Sequence, residues 1–260
     1  MTRIRVIGPG RAGRSLMAAL RAAGGYTVMG AYGRGRALSG AAGGVDVLVI
    51  ATPDGSVADV AAQVTPNPEA VVLHLSGSLG LDVLDPHPRR ASLHPLVPLP
   101  NPEIGAVRLR SGVTFAVAGD PAATRLAEAL GGHPVEVADE LRANYHTAAT
   151  VAANHLVALL GQVERIAATA GLPLSAFAGL IRAAAEDGLA LGPRPALTGP
   201  ASRGDWATLD RHRSVLGSMA GSRTELAGYD ALVALARRLS MDTPDLETGA
   251  DPGATVEQVA

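Results

Sequence analysis

No cysteine and no lysine occur in this 260-residue chain. The first absence excludes disulfides, thiolate nucleophiles and cysteine-ligated metals. The second leaves no amine for Schiff-base chemistry and makes all 22 basic residues arginine. Arginine stays protonated, so a proton given to a substrate must come from histidine, tyrosine, a carboxylic acid or water. No apolar run approaches the roughly 20 residues that cross a bilayer, and a net charge of −2 is not that of a polyanion binder. Nucleic acid and membrane are therefore poor partners, a small molecule is the better one, and no metal site is expected. The first strand begins without a basic–apolar–small cleavage pattern, which points to a cytoplasmic protein. What is present is 47% hydrophobic content, enough for the cores of two domains.

The most informative stretch is Ile4-Arg5-Val6-Ile7-Gly8-Pro9-Gly10-Arg11-Ala12-Gly13, an apolar run that breaks into G-x-G-x-x-G and then into a helical pattern. At the end of a first strand, such glycines make the turn, let the backbone approach a pyrophosphate, and allow close strand–helix packing. Free N–H groups and the positive dipole end of the helix would then meet the phosphates. The competing explanation is an ordinary glycine turn in a chain with 31 glycines. Gly8, Pro9, Gly10, Arg11, Ala12 and Gly13 are the candidate dinucleotide loop.

The cofactor type is read about 20 residues further on. NAD sites usually place an Asp or Glu there for the ribose hydroxyls, but this chain has Ala31-Tyr32-Gly33-Arg34-Gly35-Arg36. Two arginines without a carboxylate favour a 2′-phosphate, hence NADP; the alternative is a solvated basic loop. Val45–Ala51 and Ala70–Leu75 read as buried parallel strands emptying into Thr52-Pro53-Asp54 and Ser76-Gly77-Ser78. Thr52, Pro53 and Ser76 are candidate cofactor or substrate contacts, since ligands bind outside the carboxyl ends of such strands; either hydroxyl could equally be satisfied within its loop. The proline-rich Ala91–Pro100 is expected to be an extended edge segment, with His94 either facing the site or structural. A strand at 113–117, a helix opened by Asp120-Pro121, and a strand at 134–137 complete the first half.

From Glu140 to Ala170 the sequence predicts one helix of about 30 residues, about 45 Å long. Asp139 caps it, and Gly171-Leu172-Pro173 ends it. Further helices are expected from Ser175 to about Leu191, from an Asp205 N-cap, and from the capping box Ser222-Arg223-Thr224-Glu225 to about Leu239. Residues 241–260 lose apolar periodicity and read as a tail. The fold class is α/β: a Rossmann-like doubly wound parallel sheet at 1–139, then an all-α domain at 140–240.

Thr52-Pro53-Asp54 and Ser92-Leu93-His94-Pro95, in this βαβ-then-helical order, resemble the 6-phosphogluconate dehydrogenase-like superfamily, which includes ketopantoate and pyrroline-carboxylate reductases. Tyr145–His155, Leu197–Asp205 and His212 are most similar to a poorly characterised bacterial family that joins a Rossmann-like domain to a helical domain of unknown function. The resemblance spans residues 1 to about 240. In ketopantoate reductases a lysine on the long helix donates the proton, and asparagines four and eight residues later bind substrate. Carried over, those spacings fall on His146, Thr150 and Asn154. In an α-helix these would drift only about 80° and share one face. The resemblance implies His146 as proton donor; Asp205 is the candidate carboxylate to support its charged form, or orients substrate itself, and Arg203 is a candidate clamp for a substrate carboxylate or a helix-surface charge. Each could instead be structural: His146 and Asn154 between helices, Asp205 as an N-cap.

Two functions follow. The first is an NADP-dependent reductase of a small carbonyl or imine, such as a 2-keto acid like ketopantoate, working in a cleft between the domains. The second is a non-catalytic NADP-binding sensor or regulatory protein. A reduced deazaflavin is a narrower alternative as hydride donor. The resemblance also implies a homodimer formed through the helical domain.

Overall fold

A computed structural model describes residues 1–241; the tail expected at 241–260 lies almost wholly outside the described residues. The chain divides into two compact units meeting between Leu156 and Val157, each described separately.

In the first unit the described residues build a seven-stranded sheet ordered β2-β1-β3-β4-β5-β6-β7. The strands are β1 (Thr2–Ile7), β2 (Tyr26–Tyr32), β3 (Val47–Ile50), β4 (Val71–His74), β5 (Arg90–Pro95), β6 (Thr114–Gly119) and β7 (His133–Glu136). All neighbours are parallel except β5 and β6. Four helices belong to this unit's connections: α1 (Arg11–Ala23), α2 (Val57–Ala62), α3 (Pro102–Arg108) and α4 (Ala122–Ala129). The sheet is the doubly wound, mostly parallel Rossmann-like sheet that the sequence predicts.

Strand alternation sends successive side chains to opposite faces. Val47 and Val49 enter one core with Leu16, Leu20, Leu73, Leu93 and Phe115. Leu48 and Ile50 enter the other with Val57, Ala61, Val72 and Leu84. Both faces are thus covered, which is why the strands read as continuous apolar runs.

One expectation fails. Arg90–Pro95 is not an edge segment; β5 lies inside the sheet, with β4 on one side and β6 on the other. Its only proline is Pro95, the last residue, and the backbone from Ala91 to His94 is free to pair on both sides. Pro98 and Pro100 come after the strand has ended, so they cost no ladder donor.

The predicted long helix is α5 (Arg142–Thr150), a π turn over Val151–His155, and α6 (Leu156–Thr169). A π turn closes i→i+5 bonds and holds an extra residue, so the regular α spacing from His146 does not extend to Asn154. The second unit continues with α7 (Ala178–Ala190), the short α8 (Pro193–Ala196) and α9 (Pro200–Arg203), then α10 (Trp206–Gly217) and α11 (Ser222–Met241). Among the described residues no single helix is long and apolar enough to cross a membrane; one bent pair, Asp139–Thr169 with Leu174–Ala190, meets that test by length and composition alone.

The glycine motif shows its physical reasons. Gly8 has φ +94°, and a Cβ there would lie 2.7 Å from the Ala51 carbonyl oxygen. A Cβ on Gly13 would overlap the Gly8 carbonyl oxygen and press on Val6 and Ala51, so this glycine lets α1 seat against β1 and β3. Gly13→Ala should therefore cost about 1–3 kcal/mol of stability in denaturant unfolding. At Gly10 a Cβ meets nothing within 4 Å, so Gly10→Ala should leave the unfolding midpoint almost unchanged.

Candidate functional site

The sheet order reverses between β1 and β3, and the loops leaving these strands are packed together at Gly8 and Ala51. That is the switch-point crevice where doubly wound sheets bind nucleotides. Gly10 N-caps α1 with no side chain of its own, and the first turn of α1 carries no acidic residue. The helix's free N–H groups and positive end are left for an anion, with exposed Arg11 and Arg14 beside them.

A Cβ on Gly33 would come within 3.8 Å of Pro9, so the loop after β2 reaches the glycine loop. Arg36 lies over the Tyr32 ring, 4.0 Å from its centroid, and both Arg34 and Arg36 are exposed. At the end of β3 the Thr52 hydroxyl oxygen is buried with no hydrogen-bond partner among the described residues. Exposed Pro53 precedes a 3₁₀ turn over Asp54–Ser56. Space at Gly10, an unopposed helix N-terminus, an orphaned hydroxyl and two exposed arginines fit a phosphorylated dinucleotide.

Further along the same carboxyl edge, the loop after β4 is pinned by hydrogen bonds. The Ser76 and Ser78 hydroxyls each donate to Asp54 Oδ2 at 2.8 Å. Ser76 Oγ also accepts from the backbone N–H groups of Ser78 and Leu79, so this predicted substrate contact is occupied in shaping its loop. Buried His74 accepts from the Ser76 N–H through Nδ1 at 3.2 Å, and its Nε2 lies 3.2 Å from the Gly80 carbonyl oxygen. The Asp139 carboxylate accepts from Leu81 N–H at 2.8 Å.

The pinned loop presents Gly77 to two imidazoles, and a tyrosine stands behind one of them. A Cβ there would lie 2.8 Å from both His146 Cδ2 and His94 Cε1. His94 Nδ1 is 2.7 Å from the Tyr145 hydroxyl, and the His94 and His146 rings meet edge to face with centroids 5.9 Å apart. Ser92, two residues before His94, accepts a hydrogen bond from Arg142 Nη2. The Arg142 side chain is 1% exposed. Its Nε donates to Asp139 Oδ1 at 3.3 Å, while Nη1 is buried and without a partner among the described residues.

Burial is the main cause that pushes His94 down to about 4, helped by its neighbours His146 and Arg142 and opposed by Asp54. His74 falls to about 4, again chiefly by burial. Burial also raises Tyr145 above its usual value, against the pull of Arg142. Near pH 7 the His94–Tyr145 pair is thus a neutral imidazole and a neutral phenol.

The predicted residues are only partly brought together. His94 and His146 meet. Thr150 is half-buried farther along α5, and Asn154 is exposed within the π turn. In the second unit Asp205 accepts from Thr208 N–H at 3.1 Å as the N-cap of α10, and hydrogen bonding to the Thr208 side chain and backbone lowers its pKa. Arg203 ends α9, and His212 Nδ1 lies 2.7 Å from the Tyr229 hydroxyl. No ion pair joins His146 to a carboxylate among the described residues. Sequence reasoning missed Tyr145, Arg142, Asp139, His74, Asp54, Gly77 and Ser78. A signal existed for two of them: Arg142 and Tyr145 stand four and one residues before His146, and positions i, i+3 and i+4 share a helix face. Among the described residues no group of three or more His, Asp or Glu is placed to hold a metal.

The two neutral histidines imply a pH dependence. A His whose pKa is depressed on folding takes up its proton more readily when unfolded, so stability rises with pH between about 4 and about 6.5. His74, fully buried, should contribute on the order of 3 kcal/mol of stability at pH 7 that is lost as pH falls through this window. Unfolding midpoints measured from pH 7.5 to 4.5 should fall steadily, and less steeply in His74→Gln.

Residues 112–236 match a family described as a domain of unknown function, DUF2520. No curated protein sequence is significantly similar to the chain. Among solved structures, a Bacteroides fragilis protein assigned as an NADP oxidoreductase aligns over 91% of this chain and 98% of its own, with a TM-score of 0.75 and 19% identity. A Thermotoga maritima protein aligns over 91% and 98%, with a TM-score of 0.68 and 24% identity. A reductive aminase from Aspergillus terreus, solved with an NADPH analogue, cyclohexanone and allyl amine, aligns over 92% and 93%, with a TM-score of 0.66 and 14% identity. At these identities the likeness is one of fold. The chain therefore carries a Rossmann-like sheet, and its match to DUF2520 begins within that sheet, before β6, and runs on through the helical region.

Proposed function

We propose that the chain is an NADPH-dependent reductase of a small carbonyl or imine, with 2-keto acids among the substrates to be tried first. The observation that carries this reading is the His94–Tyr145–His146 cluster, set against Gly77 on the same sheet edge as the glycine loop. The NADP assignment of the Bacteroides protein and the NADPH analogue and ketone bound by the Aspergillus aminase agree with it. On this reading the backbone N–H groups at Gly10–Gly13 hold the pyrophosphate. Arg34 and Arg36 hold the 2′-phosphate through charge-assisted bonds, and Thr52 donates its free hydroxyl to the cofactor.

When bound, NADPH supplies a hydride equivalent to the substrate carbon. Tyr145 then gives its phenolic proton to the oxygen or nitrogen that gains charge. The ordinary phenol pKa of about 10, raised here by burial, still leaves it far more acidic than the alcohol being formed. His94, with its proton on Nδ1, donates to the Tyr145 oxygen and stabilises the phenolate left behind. His146 lies against His94 and is the alternative donor. Ser76 and Asp54 hold Gly77 in place, where any side chain would push the two histidines apart.

The test is oxidation of NADPH, followed optically, with a panel of small 2-keto acids, ketones and cyclic imines. Turnover that falls about a hundredfold or more in Tyr145→Phe, and less in His146→Gln, is the expected result. NADPH binding with no turnover on any substrate would favour the non-catalytic sensor instead. No NADPH binding at all would end both readings. Pairing of two copies through the helical unit is also proposed. Leu180 and Leu189 on α7 are 69% and 89% exposed, as such pairing requires, and light scattering at micromolar concentration should give twice the chain mass.

A further inference from the structure

Two short ladders of contact run side by side. On β5, Ser92 and His94 are two residues apart and point to the same face of the sheet, advancing about 6.6 Å. On α5, Arg142, Tyr145 and His146 occupy positions i, i+3 and i+4 of one helix face, advancing about 4.5–6 Å. The rungs are Arg142 Nη2 donating to Ser92 Oγ, and the Tyr145 hydroxyl 2.7 Å from His94 Nδ1. We propose that Arg142 is a positioning residue, its buried guanidinium fixing the first turn of α5 to Ser92 so that Tyr145 and His146 are set against His94.

A buried guanidinium is an expensive way to fill a core site, because the desolvation of a charge often exceeds what its pairing returns, and an apolar side chain of similar volume is commonly as stable. What the guanidinium offers over a methionine is direction: a planar fork bonded at once to β5 and, through Nε, to Asp139. Asp139 in turn accepts from Leu81 N–H at the far end of the Gly77 loop. One residue therefore ties together the helix that carries Tyr145 and His146, the strand that carries His94, and the loop that carries Gly77. The groups facing His94 are His146 and Tyr145 from α5, Arg142 at its base, Asp54 after β3 and His74 on β4. Without the cation and its tie, His94 should gain both solvent and freedom to protonate.

The catalytic consequence rests on the reductase reading, but the positioning can be measured without any substrate. Arg142→Met, Arg142→Lys and Ser92→Ala are compared with wild type by imidazole NMR titration and by ring-to-ring contacts between Tyr145 and His94. The His94 midpoint is expected to rise by about one pH unit in Arg142→Met and by less in Arg142→Lys, with weakened Tyr145–His94 contacts. Ser92→Ala keeps the buried charge, removes only the tie, and should also weaken those contacts; it decides the matter if Arg142→Met does not fold. If a folded Arg142→Met, or Ser92→Ala in its place, keeps both the His94 midpoint and the contacts, Arg142 is a core filler and the proposal is wrong. Where NADPH oxidation has been detected, kcat should drop about tenfold to a hundredfold with KM nearly unchanged, and Arg142→Lys should recover part of it. Failure to find any substrate would count against the reductase reading while leaving the NMR comparison decisive for Arg142.

Discussion

A cation removed from water must be answered by its surroundings, and in the sheet unit that cation is Arg142, 1% exposed at the base of α5. Asp139 and Ser92 take two of its donors. The same positive charge helps keep the two nearest buried imidazoles, His74 and His94, in their neutral forms. Neutrality matters for each. His74 can accept from Ser76 N–H only because its Nδ1 is unprotonated, and that bond shapes the loop that offers Gly77 to His94 and His146. A neutral His94 can share a hydrogen bond with the Tyr145 hydroxyl in either direction. Charge burial, loop shape and the chemistry proposed for the site are thus linked by a few named bonds.

The sheet supplies the other constraint. β1, β3, β4 and β5 run parallel, so their carboxyl ends line one edge. The glycine loop, Thr52, the Ser76–Ser78 loop and His94 follow from them in that order. A dinucleotide is long enough to need such an arrangement, with phosphates at the switch point and the reactive ring farther along the edge. On the proposed reading, the phosphate end would be the glycine loop with its neighbouring arginines, and the reactive end the Tyr145 phenol with the His94 and His146 imidazoles.

What could be read from the sequence was what short-range physics decides. The strand–glycine–helix turn is legible because close packing at Gly8 and Gly13 admits no Cβ. The Asp205 cap is legible because capping is a bond between residues three apart. β5 is not legible as an inner strand, since Pro98 and Pro100 look like part of it until its end at Pro95 is known. The π turn at Val151–His155 has no local marker, so the helical spacing from His146 to Asn154 was carried one turn too far. The role of Arg142 is not legible because arginine is ordinarily a surface residue, and only the meeting of α5 with β5 reveals its burial. Tyr145 stands three residues after Arg142, which places it on the helix face that meets His94.

On the proposed function, the glycine loop and the His94–Tyr145–His146 cluster are two ends of a single NADPH site. The direct measurement is imidazole NMR of the wild-type protein titrated with NADPH and, separately, with 2′,5′-ADP, which carries the phosphorylated adenosine end without the nicotinamide. NADPH should shift the His94 and His146 resonances at saturation, and the fragment should bind while leaving them in place. Saturating NADPH that moves neither histidine would contradict the proposed function.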